Sequence, residues 1–594
     1  MPEKILAPAR FALLLVVLVL FFVFQFNHAL ALPPITDDAW MATIAKNWAS
    51  GFGWASSYGE KYPFDPQITT GPGLLAFISI AIHFFGNAIW LPRVISLLLH
   101  MTLYFVFLWQ MRKTIADDRQ FSYFAMLMTG IFATLHWHMW IVSLGDLSAL
   151  LYIMNAAVFL FQACEQKRAL HFFISGVFAA LAILSKLIAI IPAIGLIPCM
   201  FVSLYATATL WRKSLYHLLL YLAPCLVLTG VWHLYETSTI MQLSPEQQLL
   251  HRIRFTHNFN ISGSGIAWFS QNINNPAFLA EFLRRAVDNL TNYNEIVSRQ
   301  WRLIPQIVST IVMSLLLCTI YCFRLAKKKQ NSLVIFFLLP ASFYLIWAIL
   351  IGDAGYGRYI YCGLYLAACG LCLLLARKIF LSCLLFFYLC INLCFPPLNI
   401  LYGNLTEWQK IPSPQMLALK ALTNEINSKY AKEQLSSCSN IFSREVEYAL
   451  SGANRLPDCH YLLGELVAFN PENYRKRHSS VKFASEDEML GHYIKSVISR
   501  KDPNAVAPVV WQAGHFSGFY AIENPLGSAY KNFGRGKQYT TITEGCTSVY
   551  KNAFYSIAFC SREHLESVFE KNGGINFIPP QWQDKYWLAI NKNQ

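Results

Sequence analysis

Apolar runs recur from residue 11 to about residue 400, and polar or charged stretches separate them. A bilayer crossing needs about 20 apolar residues. Eleven stretches meet that requirement or approach it: 11–31, 89–111, 121–137, 147–163, 172–184, 187–205, 215–234, 303–323, 333–351, 359–376 and 379–394. The short pair around Lys186 leaves the count between ten and thirteen. The stretch 74–85 is apolar but too short to cross, which predicts an interfacial or re-entrant helix. From about 403 onward the pattern changes to mixed charge with regular turn signals. The chain therefore divides into a membrane part, 1–402, and a soluble tail, 403–594. Strand-like patches at 506–511 and 539–542 and helical ones at 414–429 and 562–571 make the tail a small α/β domain.

Composition agrees with a polytopic membrane protein. Of 594 residues 55% are hydrophobic and only 13% charged, against about 25% charged in ordinary soluble domains. Disordered, fibrous and small disulfide-scaffold classes are excluded. The formal charge of +14 does not indicate nucleic acid, because the basic residues form short clusters between apolar runs. With eleven spans, Arg112, Lys113 and Arg119, Lys167 and Arg168, Arg212 and Lys213, Arg324 with Lys327 to Lys329, and Arg377 and Lys378 all fall on one side, together with Lys4 and Arg10. That side is cytoplasmic. The N-terminus lies inside, and loops 32–88 and 235–302 and the tail lie outside. Ala29-Leu30-Ala31 has the look of a signal-peptidase site, but the preceding apolar run is longer than most signal sequences, so a retained span is expected.

Eleven of the 15 Cys lie in or beside the spans. The other four, Cys438, Cys459, Cys546 and Cys560, share the tail and predict two disulfides in an oxidising compartment, with three connectivities open. The close pairs 438–459 and 546–560 are the expected choice. A tail zinc site lacks a Cys-x-x-Cys spacing. No Walker phosphate loop is present, which argues against an ATP-driven pump.

Chemistry concentrates near the outer face. The first external loop opens with Pro33-Pro34-Ile35-Thr36-Asp37-Asp38-Ala39-Trp40. Asp37 is placed to cap a helix from 38 to about 49, and a helix start is also a rigid mount for a catalytic group. Tyr58, Lys61 and Tyr62 follow, then the turn Thr70-Gly71-Pro72. Asp146, Lys186 and Arg358 fall at outer ends of spans, where charge is costly and generally faces a cavity or a partner. Structural ion pairing is the plain alternative for each. His136 and His138, beside Trp137 and Trp140, fit an interfacial aromatic belt, with metal binding or a place in the cavity, taken for His138, as the alternatives. The run Arg475-Lys476-Arg477-His478 and the loop residues His251, Arg252, Arg254 and His257 read as solvated faces. Asn289-Leu290-Thr291 and Asn404-Leu405-Thr406 fit the glycosylation sequon.

The order of span, acidic pair, helix, Gly-Pro turn, interfacial helix ending Phe84-Phe85-Gly86, and Trp90-Leu91-Pro92-Arg93-Val94-Ile95-Ser96 resembles the N-terminal region of the GT-C glycosyltransferases. The resemblance is specifically to the branch of the protein O-mannosyltransferases and the lipid A aminoarabinose transferase. Asp37 matches that branch's catalytic Asp, and Asp38 stands where Glu is common. Thr70-Gly71-Pro72 stands where the family often has His-Pro-Pro or Lys-Pro-Pro. Leu144-Gly145-Asp146, Leu184-Ser185-Lys186 and Arg358-Tyr359 match its later acidic, Leu-Thr-Lys and Arg-Tyr positions.

The resemblance implies a GT-C fold and transfer of a sugar from a polyprenyl-phosphate donor, with inversion, to a lipid A, glycan or protein acceptor. It implies Asp37 as general base, with Asp38 and Asp146 orienting it or the acceptor. Lys186 and Arg358 would hold the donor phosphate beside Tyr359, with Tyr58, Lys61, Tyr62 and Thr70 at the cavity mouth. No cofactor is required; the acidic pair admits a divalent cation, but no ligand spacing specifies one. The expected location is a bacterial inner membrane with the tail periplasmic. One rival is a transporter or flippase of lipid-linked glycans, which would favour internal hydropathy symmetry that the chain lacks. An O-antigen ligase-like enzyme, acting through loop 235–302, and a non-enzymatic scaffold are the others.

Overall fold

A computed structural model describes residues 3–34, 36–54, 70–135, 137–206, 211–242, 276–301, 332–352, 358–376, 413–429, 435–438, 448, 518–523 and 545–561. Some side chains within these segments lie outside the description, including those of 36–37, 133–138, 358–359, 435–438, 518–523 and 560. The described helices are α1 (Glu3–Ala31), α2 (Thr36–Ala49), α3 (Pro72–Phe85), α4 (Leu91–Thr114), α5 (Asp118–Leu135), α6 (Asp146–Gln166), α7 (Ala169–Ser185), α8 (Ile190–Ala206), α9 (Trp211–Met241), α10 (Phe278–Trp301), α11 (Ser332–Leu350), α12 (Arg358–Leu375) and α13 (Pro414–Lys429). The strands are β1 (Leu435–Cys438), β2 (Gly518–Glu523), β3 (Thr547–Lys551) and β4 (Tyr555–Cys560).

Nine of the eleven predicted stretches coincide with described helices. The stretches 303–323 and 379–394 lie outside the described residues, as do the tail patches 506–511, 539–542 and 562–571. Among the described residues, six helices are long and apolar enough to cross a membrane. The chain is a multi-pass membrane protein. The predicted interfacial segment is α3. Pro72 sits in its first turn, where the missing N–H costs nothing. Gly86 closes the helix at φ 78°, its N–H donating to Ile82 O at 2.8 Å. Leu74, Leu75, Ile78 and Ile82 are buried, while Ile80, Phe84 and Phe85 are exposed. One face thus packs on the protein and the other is left for lipid.

Helix α6 is the axis of the bundle, with 94% of its apolar window buried. Small residues permit that close packing, and polar side chains bridge it to its neighbours. Asn155 Nδ2 donates to Leu103 O at 3.0 Å, and Ser175 Oγ to Ala156 O at 2.8 Å. Helix α9 has 31 residues, about 46 Å at 1.5 Å per residue, so it overshoots a hydrocarbon core of about 30 Å. Its far part is tied to α2 by Trp232, whose ring centroid lies 4.8 Å from that of Trp54 and 6.0 Å from that of Trp48.

One sequence match is closed off here, and one expectation changes. Asn289 of the first sequon is buried, and its Nδ2 donates to Ile349 O at 2.8 Å and Gly352 O at 3.1 Å. It caps the open C-terminal carbonyls of α11 and is unavailable to a glycan. Trp140, expected in an aromatic belt, is fully buried against Phe21, Tyr104 and Phe132. The 3-10 turn Trp137–Trp140 folds inward because the rings of α1, α4 and α5 supply an apolar socket.

In the tail, α13 starts where Ser413 caps it: the Met416 N–H donates to Ser413 Oγ at 3.2 Å. The sheet order is β1-β2-β4-β3, with β1 parallel to β2 and the other pairs antiparallel. Met416, Leu419, Leu422 and Ile426 of α13 bury themselves in a cluster with Tyr555, Ile557 and Tyr448, and this cluster also holds Ala42 of α2 and Ile89. The Ser413 N–H donates to Ala31 O, the end of α1, at 3.0 Å. Cys546 is disulfide-bonded. The side chains of Cys438 and Cys560, and Cys459 altogether, lie outside the description.

Candidate active site

Helix α2 begins at Thr36, so both acidic residues lie in its first turn rather than Asp37 serving as its cap. Pro33 and Pro34 keep the preceding chain extended, and carboxylates are favoured at the positive end of the helix dipole. Asp38 is 2% exposed, and both of its oxygens are engaged. Arg93 Nε donates to Oδ2 at 2.8 Å, and the Ser143 N–H donates to Oδ1 at 2.7 Å. Arg93 also reaches Leu32 O at 3.3 Å. Asp38 thereby ties the acidic helix to α4 and to the segment leading into α6. Arg93 stands in the sequence pattern but not among the expected site residues. The signal for it is its place one turn inside a span, where an unpaired guanidinium is too costly to keep.

Arg93 heads a polar stripe along α4. Ser96 Oγ lies 3.1 Å from Ser143 Oγ, and His100 bridges Trp140 O at 2.8 Å and Ser148 Oγ at 2.7 Å. Positions 93, 96 and 100 repeat at helical spacing, so one face of α4 holds the segment 140–148 in place.

Shortly beyond Ser143 comes Asp146, the first residue of α6. Its Oδ2 lies 3.6 Å from Lys186 Nζ, and the two side chains are 16% and 8% exposed. Asp146 Oδ2 accepts no hydrogen bond among the described residues. Lys186 Nζ donates to Leu144 O at 3.4 Å. Thr70 pairs with Lys186 in an isolated antiparallel bridge, and its Oγ1 donates to Leu144 O at 2.7 Å. The Gly71 N–H donates to Ser185 O at 3.3 Å. Three distant motifs, 70–73, 144–146 and 184–186, thus meet in one backbone junction.

Glycine permits that junction. A Cβ on Gly71 would stand 2.2 Å from Leu184 O, and one on Gly145 2.4 Å from Ser185 O and 2.8 Å from Thr70 Cγ2. Gly145 also has φ 78°. Gly145→Ala is expected to cost about 2–3 kcal/mol from backbone conformation and local shift together. A lowered midpoint of thermal aggregation in detergent would show it, and an unchanged midpoint would refute the close junction.

Asp146 and Lys186 form the polar part of a small pocket. The rest of its lining is apolar or aromatic: Phe132, Met139, Leu147, Leu150 and Ile188, with Tyr344, Tyr361 and Tyr365 from α11 and α12. Arg358 and Tyr359 open α12 one turn before Tyr361 and Cys362; their side chains lie outside the description, as do those of Asp37 and His138. His136, Tyr58, Lys61 and Tyr62 lie outside the described residues altogether. The structure therefore brings together Thr70, Asp146 and Lys186, with Asp38 linked to them through the segment 143–146. Among the described residues no three His, Cys, Asp or Glu side chains gather as a metal set.

No protein-family model matches this chain, and no curated protein matches it. Solved structures are similar over nearly the full length. ArnT from Cupriavidus metallidurans bound to undecaprenyl phosphate shares 12% identity at a TM-score of 0.41, covering 92% of this chain and 97% of that one. Its apo form shares 13% at 0.40, covering 93% and 98%. The apo oligosaccharyltransferase of Archaeoglobus fulgidus shares 12% at 0.44, covering 92% of this chain and 74% of that one.

Proposed function

We propose that this protein is a membrane glycosyltransferase that moves a sugar from a polyprenyl-phosphate donor to a hydroxyl on a lipid, glycan or protein acceptor at the external face. The observation that carries the reading is the junction of Thr70, Asp146 and Lys186 at the polar part of an otherwise apolar pocket. The Lys186 ammonium stands 3.6 Å from the Asp146 carboxylate, wider than a close charge-assisted hydrogen bond. A cation placed so, at the pocket wall, suits a phosphate whose charge grows as the sugar leaves. Phe132, Leu147, Leu150 and Ile188 offer a surface on which the first part of a prenyl chain would lie.

The proposed reaction is a single displacement. The acceptor oxygen attacks C1, the C1–O bond to phosphate breaks, and the lipid phosphate leaves with the bonding electrons. Asp37 takes the acceptor proton, and the configuration at C1 inverts. Asp38, with both oxygens taken, holds the helix on which Asp37 stands. Asp146 positions Lys186, and Arg358 is assigned to the phosphate from the start of α12.

The test is transfer from radiolabelled polyprenyl-phosphate sugars to envelope acceptors by purified protein in liposomes. Wild-type protein should transfer label, and Lys186→Gln should do so about a hundredfold more slowly. Lys186→Arg, which keeps the charge, should retain part of the rate. Equal rates for wild type and Lys186→Gln would remove the phosphate role. No transfer from any donor would remove the reading.

A further inference from the structure

Helix α2 packs along its length on α3 through Met41, Ile44 and Ala45, and polar contacts from two different parts of the chain hold its two ends. Its first turn is fixed to the bundle through Asp38, Arg93 and Ser143. Its last turn is fixed by the tail. Lys46 is 5% exposed, and its Nζ donates to the backbone carbonyl of Tyr448 at 2.8 Å. The same ammonium lies 5.0 Å from the centroid of the Tyr448 ring. Tyr448 is itself 1% exposed, and its hydroxyl donates to Ala88 O at 3.4 Å, in the loop between α3 and α4. It shares a buried cluster with Ala42 of α2, Ile89, Leu419, Leu422 and Ile557. Burial pushes the Tyr448 phenol above its ordinary range, and the charge of Asp38 adds to the effect.

We propose that Tyr448 is a positioning residue: it wedges the tail between α2 and the 86–90 loop and so sets the orientation of the helix that carries Asp37. This rests on the glycosyltransferase reading. The physical reasons are the cost of moving each group. A buried ammonium needs the carbonyl it has found, and the cation over the ring adds to that contact. The ring is fully buried in that cluster, so its removal would leave a cavity there. Asp38 and Lys46 stand about 12 Å apart along the helix axis at 1.5 Å per residue. Anchors at both ends therefore fix tilt as well as position. With the tail anchor lost, the last turn of α2 would shift on its seat against α3, and the tilt of the helix that carries Asp37 would change.

The experiment pairs a structural readout with a catalytic one. Ile89→Cys places a smaller thiol in the buried cluster, and a membrane-impermeant maleimide added from outside reports whether the tail lifts. Protection is expected in the Ile89→Cys protein and in Ile89→Cys/Tyr448→Phe, which keeps the ring. Rapid labelling is expected in Ile89→Cys/Tyr448→Ala. In the transfer assay Tyr448→Ala should lose roughly tenfold in kcat with KM within about twofold, Tyr448→Phe should be near wild type, and Lys46→Met should resemble Tyr448→Ala. Continued protection in the Tyr448→Ala background, or an unchanged kcat with active wild type, would overturn the proposal. So would equally rapid labelling of the introduced thiol when Tyr448 is native. If wild-type protein transfers nothing, the glycosyltransferase reading fails, and the labelling result alone decides whether Tyr448 holds the tail on α2.

Discussion

Transfer should fall by about a thousandfold when Asp37 becomes Asn, because a positioned general base contributes roughly a hundred- to ten-thousandfold. Asn keeps the size and shape of the carboxylate and removes its charge and basicity. A carboxylate in the first turn of a helix is also favoured by about 0.3–1 kcal/mol, which Asn gives up. The variant should therefore insert and fold as the wild type does. Its donor affinity should be unchanged, since the proposed phosphate contact is Lys186. Single-turnover transfer with saturating donor measures the effect, and maleimide protection of a thiol introduced by Ile89→Cys checks that α2 is in place. Asp37→Asn with wild-type transfer would remove Asp37 as the base. The analogous change at Asp38 is not equivalent, because both Asp38 oxygens are engaged by Arg93 and the Ser143 N–H.

The second large effect is on stability. Arg93→Met should destabilise the protein by about 3–5 kcal/mol, the usual cost of removing one member of a buried ion pair. Arg93 and Asp38 are 3% and 2% exposed at a separation of 2.8 Å, so neither charge can reach water when the other is gone. Removing both charges should recover part of the loss. The double variant Arg93→Met/Asp38→Asn is therefore expected to be more stable than Arg93→Met alone, a non-additivity that identifies the pair. Thermal unfolding in detergent with a lipid supplement provides the measurement. Arg93→Met with a wild-type transition, or additive losses in the double variant, would show that the pair does not hold α2.

The bundle is legible in the chain because a bilayer demands about 20 apolar residues per crossing, and few other arrangements produce such runs. The short segment 74–85 is legible for the same reason in reverse: it is too short to cross. Thr70, Asp146 and Lys186 are legible because each is a polar residue beside a span. Their meeting is not, since it depends on backbone approach at Gly71 and Gly145, and nothing local in a glycine says which part of the chain will close on it. Arg93 is hidden by its surroundings. It reads as part of an amphipathic entry to α4, and only the fold supplies Asp38 from a separate helix. Trp140 shows the limit of composition rules: an aromatic near a span end prefers the interface, but a ready socket of Phe21, Tyr104 and Phe132 is better still. The α2 start differs from the expected one because two carboxylates in a first turn satisfy the dipole as well as one at the cap.

The polar centre also has a birth order. Asp38, Thr70, Arg93, Ser143, Asp146 and Lys186 all precede α8, whereas the tail groups that bear on α1 and α2, Ser413 and Tyr448, follow α12. A nascent chain inserted through α7 and the Lys186 junction already holds both members of the Asp38–Arg93 and Asp146–Lys186 pairs. It is thus spared a long wait with a lone guanidinium or ammonium in the lipid. The tail groups, made after α12, then fasten the end of α1 and the far end of α2. Before residue 448 is made, α2 would thus be seated on α3 and fixed at Asp38, with the carbonyl for Lys46 still to come.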